Sequence, residues 1–155
     1  MTMERISFGA WVLSCDTAAT RKAYAAQPTG GSEQCGCLYC RNFAATRQRV
    51  FSPDVVGLLM SMGVDVTRED ESYELGPADP GTPIPPGLVQ YGGWFFAVGQ
   101  IVVDGGPPVE YEDGFSIFAA SGHGPQPPDA FKGYGLVRLE FHARVPWVMK
   151  EPYPG

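Results

Sequence analysis

The chain has 155 residues, 44% of them hydrophobic, and a formal net charge of −6. That length suffices for one hydrophobic core but not comfortably for two, so a single domain over 1–155 is expected. The charge has the wrong sign for neutralising phosphates, which argues against nucleic acid or an anionic membrane surface as partners. With 9 Phe, 7 Tyr and 3 Trp beside 20 Gly and 15 Pro, the composition is that of a folded globule rich in turns.

Residues 5–13 alternate Ile6, Phe8, Ala10 and Val12 with Ser7, Gly9, Trp11 and Leu13, the period of two expected of a strand. Both faces are largely apolar, so the strand is expected to be central, or covered on both sides. Arg5, this apolar stretch and Ser14-Cys15 imitate a lipoprotein leader. The apolar region is short, however, Glu4 adjoins the positive charge, and Leu13 is bulky where a small residue is needed. No run approaches the ~20 apolar residues of a spanning helix. A soluble, cytoplasmic protein is expected, and in that reducing compartment disulfides are the less favoured use of its cysteines.

Residues 16–34 are small and polar, with room for one helical turn around Ala18 to Tyr24. A helix over 40–51 follows, carrying Phe43, Ala44, Val50 and Phe51 against Arg41, Arg47, Gln48 and Arg49. The next helix has Ser52 as N-cap, Pro53 in the first turn, and Val55, Leu58, Leu59 and Met62 at i, i+3, i+4 and i+7, with Gly63 ending it. Two consecutive amphipathic helices are ordinary packing, and their arginines do not make them a DNA reader.

The rest reads as β-structure. A short strand over 72–75 leads into a proline-rich loop over 76–87. Residues 88–103 form two strands with a tight turn at Gly92-Gly93, or one strand bent there. Phe115 to Ala119 form another, and the loop Ser121 to Pro128 carries His123. Over 136–145, Val137, Leu139, Phe141, Ala143 and Val145 alternate with Arg138, Glu140, His142 and Arg144, giving one buried and one solvated face. The fold class is therefore α+β: a mostly antiparallel sheet with a short pair of helices, about residues 40–63, packed on one side.

The chemistry concentrates in Cys35-Gly36-Cys37-Leu38-Tyr39-Cys40, which with Cys15 holds every cysteine of the chain. Thiolates grouped so tightly point to one shared metal ion, zinc by preference, since zinc favours a tetrahedron of thiolate and imidazole ligands. Cys35, Cys37 and Cys40 supply up to three ligands and Cys15 is the first choice for the fourth, with His142 or His123 next. The spacing has only one C-x2-C unit and matches no standard iron–sulfur run. Redox thiols and reduced cysteines without a ligand remain as alternatives.

Other groups are less informative. His142 lies between Glu140 and Arg144 on a polar face, the setting of a solvated histidine, and His123 sits in a Gly/Pro loop. Glu69, Asp70, Glu71 and Glu74 read as a solvated acidic turn. Tyr91, Trp94, Phe95 and Phe96 read as core before ligand platform. Phosphate-binding, nucleophile-elbow and zinc-protease motifs are absent.

The string Cys-Gly-Cys-Leu-Tyr-Cys-Arg-Asn-Phe at 35–43, Tyr91-Gly92-Gly93-Trp94-Phe95, and Val145-Pro146-Trp147 with Glu151-Pro152 together resemble a family of small uncharacterised bacterial proteins. The resemblance spans most of the chain and implies no activity. Three functions are therefore in contention. The preferred one is a non-enzymatic accessory or interaction domain with a structural zinc site, acting as monomer or homodimer on an unknown protein partner or small molecule. The second is a small cysteine-dependent enzyme or redox protein using Cys37 or Cys40 at a helix N-terminus. The third is a small-molecule binding module with its pocket between the aromatic strand and the helices. No base–nucleophile pair can be named, which weighs against an enzyme.

Overall fold

The computed structural model describes residues 2–122, 124 and 126–155. Its strands are β1 (Glu4–Phe8), β2 (Trp11–Cys15), β3 (Glu71–Pro77), β4 (Val89–Val103), β5 (Val109–Glu110), β6 (Ser116–Ser121) and β7 (Leu136–Val145). The helices are α1 (Thr17–Ala25), α2 (Gly31–Cys35), α3 (Leu38–Val50) and α4 (Pro53–Ser61). The strands form one antiparallel sheet in the order β1-β2-β4-β7-β6-β5, with β3 also paired to β4. This is the expected α+β architecture, with the helix pair contributing to the core on one face.

β4 organises the molecule. Its first half pairs with β3 from Trp94 back to Val89, and its second half pairs with β2 from Gly99 to Val103. Between these two partners a short stretch of its edge has no strand beside it. α1 fills that gap with polar groups: Asp16 N–H donates to the Val98 carbonyl (2.8 Å), Val98 N–H to the Thr20 hydroxyl (2.9 Å), and the Tyr24 hydroxyl to the Phe96 carbonyl (2.7 Å). Asp16 also caps α1 by accepting from Ala19 N–H. This explains why the segment after Cys15 forms a nine-residue helix and not the single turn expected. A local signal was present as well, since Asp16 is a favourable N-cap and Ala18, Ala19, Arg21, Lys22, Ala23 and Ala25 are strong helix formers; β4 adds partners.

One further expectation is corrected: residues 5–13 are a hairpin turning at Gly9-Ala10, and not one strand. Of the two readings of 88–103 the single strand stands, and its register with β7 passes through Gly92 and Gly93 without a shift, so neither makes a turn. They make room instead: a Cβ on Gly92 would stand 2.6 Å from the Tyr73 ring, and one on Gly93 would stand 2.6 Å from that of Phe141.

Phe43, Phe51, Phe95, Phe115 and Phe141 pack in one cluster, with Phe43 and Phe141 stacked at 5.9 Å and Phe51 edge-on to Phe141 at 5.3 Å. Val55 and Leu59 of α4 and Met62 just after it are fully buried. Ser52 caps that helix through Val55 N–H, as its sequence predicts. β7 also faces as predicted: Val137, Leu139, Phe141, Ala143 and Val145 are buried, whereas Arg138, Glu140 and His142 are half-buried and Arg144 is exposed. Between the aromatic strand and the helices the described residues pack these rings against one another. A cavity of about 490 Å³ lies elsewhere, beside Gly99, Ile101, Tyr134 and Leu136.

Candidate metal centre

The cysteine string is a junction between two helices. Cys35 is the last residue of α2, and Gly36 follows in the left-handed conformation (φ 70°), its N–H donating to the Ser32 carbonyl. A non-glycine residue is strained at such a φ, which accounts for the glycine between the first two cysteines. The chain thus reverses at once into α3. Cys37 is the N-cap of that helix, its sulfur accepting from Cys40 N–H at 3.4 Å, and Cys40 lies in the first turn. C-x-C-x2-C therefore becomes helix end, N-cap and first turn, and the three Sγ atoms lie within 4.8 Å of one another. Tetrahedral zinc with Zn–S bonds of 2.3 Å needs sulfurs about 3.8 Å apart, a small adjustment for side chains of one rotatable bond. The cluster is positioned to chelate a metal ion.

The sulfurs differ in environment. Cys35 and Cys37 are exposed, and Cys40 is buried at 6% exposure. Burial pushes the Cys37 thiol up, but donation from Cys40 N–H, the neighbouring thiols and Tyr39 N–H outweighs it and holds the thiol below its ordinary value. Burial pushes Cys40 strongly up, and hydrogen bonding and charge from Cys35 and Cys37 add to this. Metal binding requires deprotonated sulfur, so a divalent cation among the three would offset the burial and the neighbouring charge that keep Cys40 protonated.

Cys15 does not join this group. It is fully buried in β2 opposite Gly99 of β4, and burial, with the Glu4 charge, pushes its thiol up to about 11. The cluster lies by Tyr91, whose hydroxyl donates to the Tyr39 carbonyl. Seven residues of β4 lie between Tyr91 and Gly99, eight steps or roughly 26 Å along an extended strand. His142, another candidate ligand, is paired with Gly92 and Ser116. Its neighbours Phe141 and Ala143 face the core, so its ring lies on the opposite side of the sheet from α3. His123 lies outside the described residues.

A buried ion network holds the junction in place. Arg47 of α3, 8% exposed, donates to Glu33 of α2 (2.6 and 3.2 Å) and to Glu69 just before β3 (2.8 Å). Glu69 is fully buried and also accepts from the Ser32 N–H and hydroxyl. The acidic run read as a solvated turn is thus partly interior, and Asp70 accepts from the Trp94 indole at 2.8 Å. One signal was available: Arg47 falls on the helical stripe Cys40, Phe43, Arg47, Val50, all of which are buried.

The first turn of α3 also binds the C-terminal segment. The Asn42 amide donates to the Pro146 carbonyl (3.1 Å) and accepts from Val148 N–H (2.8 Å). Arg41 pairs with Glu151 at 3.2 Å, and Tyr39, Trp147 and Tyr153 pack edge to face at 5.4–6.2 Å. Tyr153 donates to Glu74 of β3. The strings at 35–43, 91–95 and 145–152, far apart in sequence, meet at this one place. No protein-family model, curated protein or solved structure matches this chain. Among the described residues no helix is long and apolar enough to cross a membrane.

Proposed function

We propose that the protein is a metal-stapled accessory or interaction domain in which Cys35, Cys37 and Cys40 hold zinc. The observation that carries this reading is the convergence of three sulfurs within 4.8 Å at a helix junction. The donor set supports zinc over harder ions, because thiolates select zinc, copper(I) and iron–sulfur clusters over magnesium or calcium. A metal there would tie the end of α2 to the start of α3, and α3 in turn carries Asn42 and Arg41, which hold the C-terminal segment. Its role is to shape a surface built from residues distant in sequence. The gathering of the resembling strings at this place supports a role common to the bacterial family they resemble.

The test is metal analysis of protein purified under reducing conditions, combined with thiol titration. One equivalent of zinc, three protected thiols and one thiol released only on unfolding are expected. A second reading, a Cys37–Cys40 redox dithiol, is favoured by the exposed N-cap sulfur beside a buried partner. Metal-free protein whose thiols oxidise reversibly in pairs would establish it in place of the first.

A further inference from the structure

We infer that a metal on Cys35, Cys37 and Cys40 keeps one coordination position facing solvent, and that this position takes a thiolate from outside the chain. The inference rests on the metal reading above and specifies what that site binds. Zinc is tetrahedral in nearly all protein sites; closed structural centres take four ligands from the protein, and open centres take three and leave a position for an exchangeable group. Among the described residues, the group of side chains close enough to share an ion contains these three cysteines and no fourth Cys, His, Asp or Glu. Cys15 is held at the other end of β4, His142 belongs to the other face of the sheet, and Glu74 accepts from the Tyr153 hydroxyl.

The burial of the three sulfurs sets the direction of the open position. Cys40 is the inner ligand, whereas Cys35 and Cys37 are exposed, so the remaining tetrahedral direction points toward water and not into the core. The incoming ligand must then suit a sulfur-rich centre, which favours a soft donor over a carboxylate. The N-terminal end of the thirteen-residue α3 favours negative charge on that ligand. In the exchange the thiol proton passes to solvent, a sulfur–metal bond forms and a water leaves, with no change of oxidation state.

Cobalt(II) reports the sulfur count through its thiolate charge-transfer absorption. Cys15→Ala protein, which has only the three junction thiols, is loaded with cobalt and titrated with β-mercaptoethanol, with acetate as comparison. The charge-transfer absorbance is expected to saturate about one third higher, as three sulfurs become four, while acetate leaves it unchanged. X-ray absorption at the cobalt edge of the unmodified protein counts the same sulfurs should the variant not fold. The inference is overturned by four sulfurs before any thiol is added, by a spectrum indifferent to thiol, by a metal-dependent dimer, or by a spectral change in His123→Gln protein before titration. Protein that takes up no cobalt and no zinc would overturn the metal reading itself, a result distinct from all of these.

Discussion

The two ends of α3 are held by different physics. At its C-terminal end Val50 is buried and the adjoining Phe51 packs against Phe95, Phe115 and Phe141, where stability comes from excluding water. At its N-terminal end the chain is held by thiols, an amide, a half-exposed ion pair and a capped turn. The first end carries no group that binds metal, oxidises or titrates near neutral pH; the second carries three thiols and an ion pair, the kinds of group that can. A single helix thus joins a permanent anchor to a conditional one, and a change in the conditional end need not unfold the domain.

The sharpest way to break this contrast is at the anchor. Phe141→Ala should cost about 3–5 kcal/mol, read as a lower urea midpoint, and the loss should be the same with or without zinc. A loss below about 1 kcal/mol would mean that the cluster is not what holds the sheet. Arg47, in the last turn of the helix, reaches across to Glu33 of α2 and so joins the two regimes. Arg47→Leu leaves Glu69 buried without its cation and should cost about 3–5 kcal/mol, whereas replacing both residues with Leu should recover much of that loss. A double variant no better than the single one would show that the network's hydrogen bonds to Ser32 outweigh its charges.

At the conditional end, free zinc at about one hundred times its dissociation constant should raise the unfolding free energy by about 2.7 kcal/mol. The gain should survive Cys15→Ala and vanish in Cys37→Ala or with a chelator. Asn42→Ala strands two backbone groups of the C-terminal segment and should cost about 1–3 kcal/mol. Its signature is local, with amide exchange accelerated over 146–151 while the amides of β7 keep their protection.

The smallest effect is one of pH. Hydrogen bonding from Arg47 holds the Glu33 carboxyl below its ordinary 4.5, against the opposing effect of burial. A lowered folded value means that the pair stabilises the fold above pH 4.5 and that this contribution is lost as pH falls through the folded value. Wild type and Glu33→Gln should therefore differ in urea midpoint at neutral pH and converge in acid. A difference that persists unchanged below that range would assign it to packing.

Where the sequence was readable, a local rule and the tertiary structure agreed. The capped helix after Ser52 and the alternation over 136–145 each announce their own buried face, because burial there follows one element's periodicity. The cysteine junction was readable as a cluster for the same reason: its three ligands lie in six consecutive residues. Contributions from elsewhere were not readable. Cys15 looks like a fourth ligand until the length of β4 separates it from the others, and α1 looks like a single turn until the unpaired stretch of β4 gives the whole helix partners. Glu69 looks solvated because nothing beside it in sequence reveals Arg47, whose place on an apolar stripe was the clue.

The plug that α1 forms between β2 and β3 bears on how these molecules behave in a crowd. A strand with unpaired amides and carbonyls recruits strands from other chains, and Phe95 to Val98 combine such an edge with an aromatic, uncharged sequence prone to cross-β stacking. Asp16, Thr20 and Tyr24 occupy those groups with a helix, an element that cannot extend the sheet. The least sheet-like segment of the chain thereby keeps neighbouring molecules from joining their sheets into aggregates.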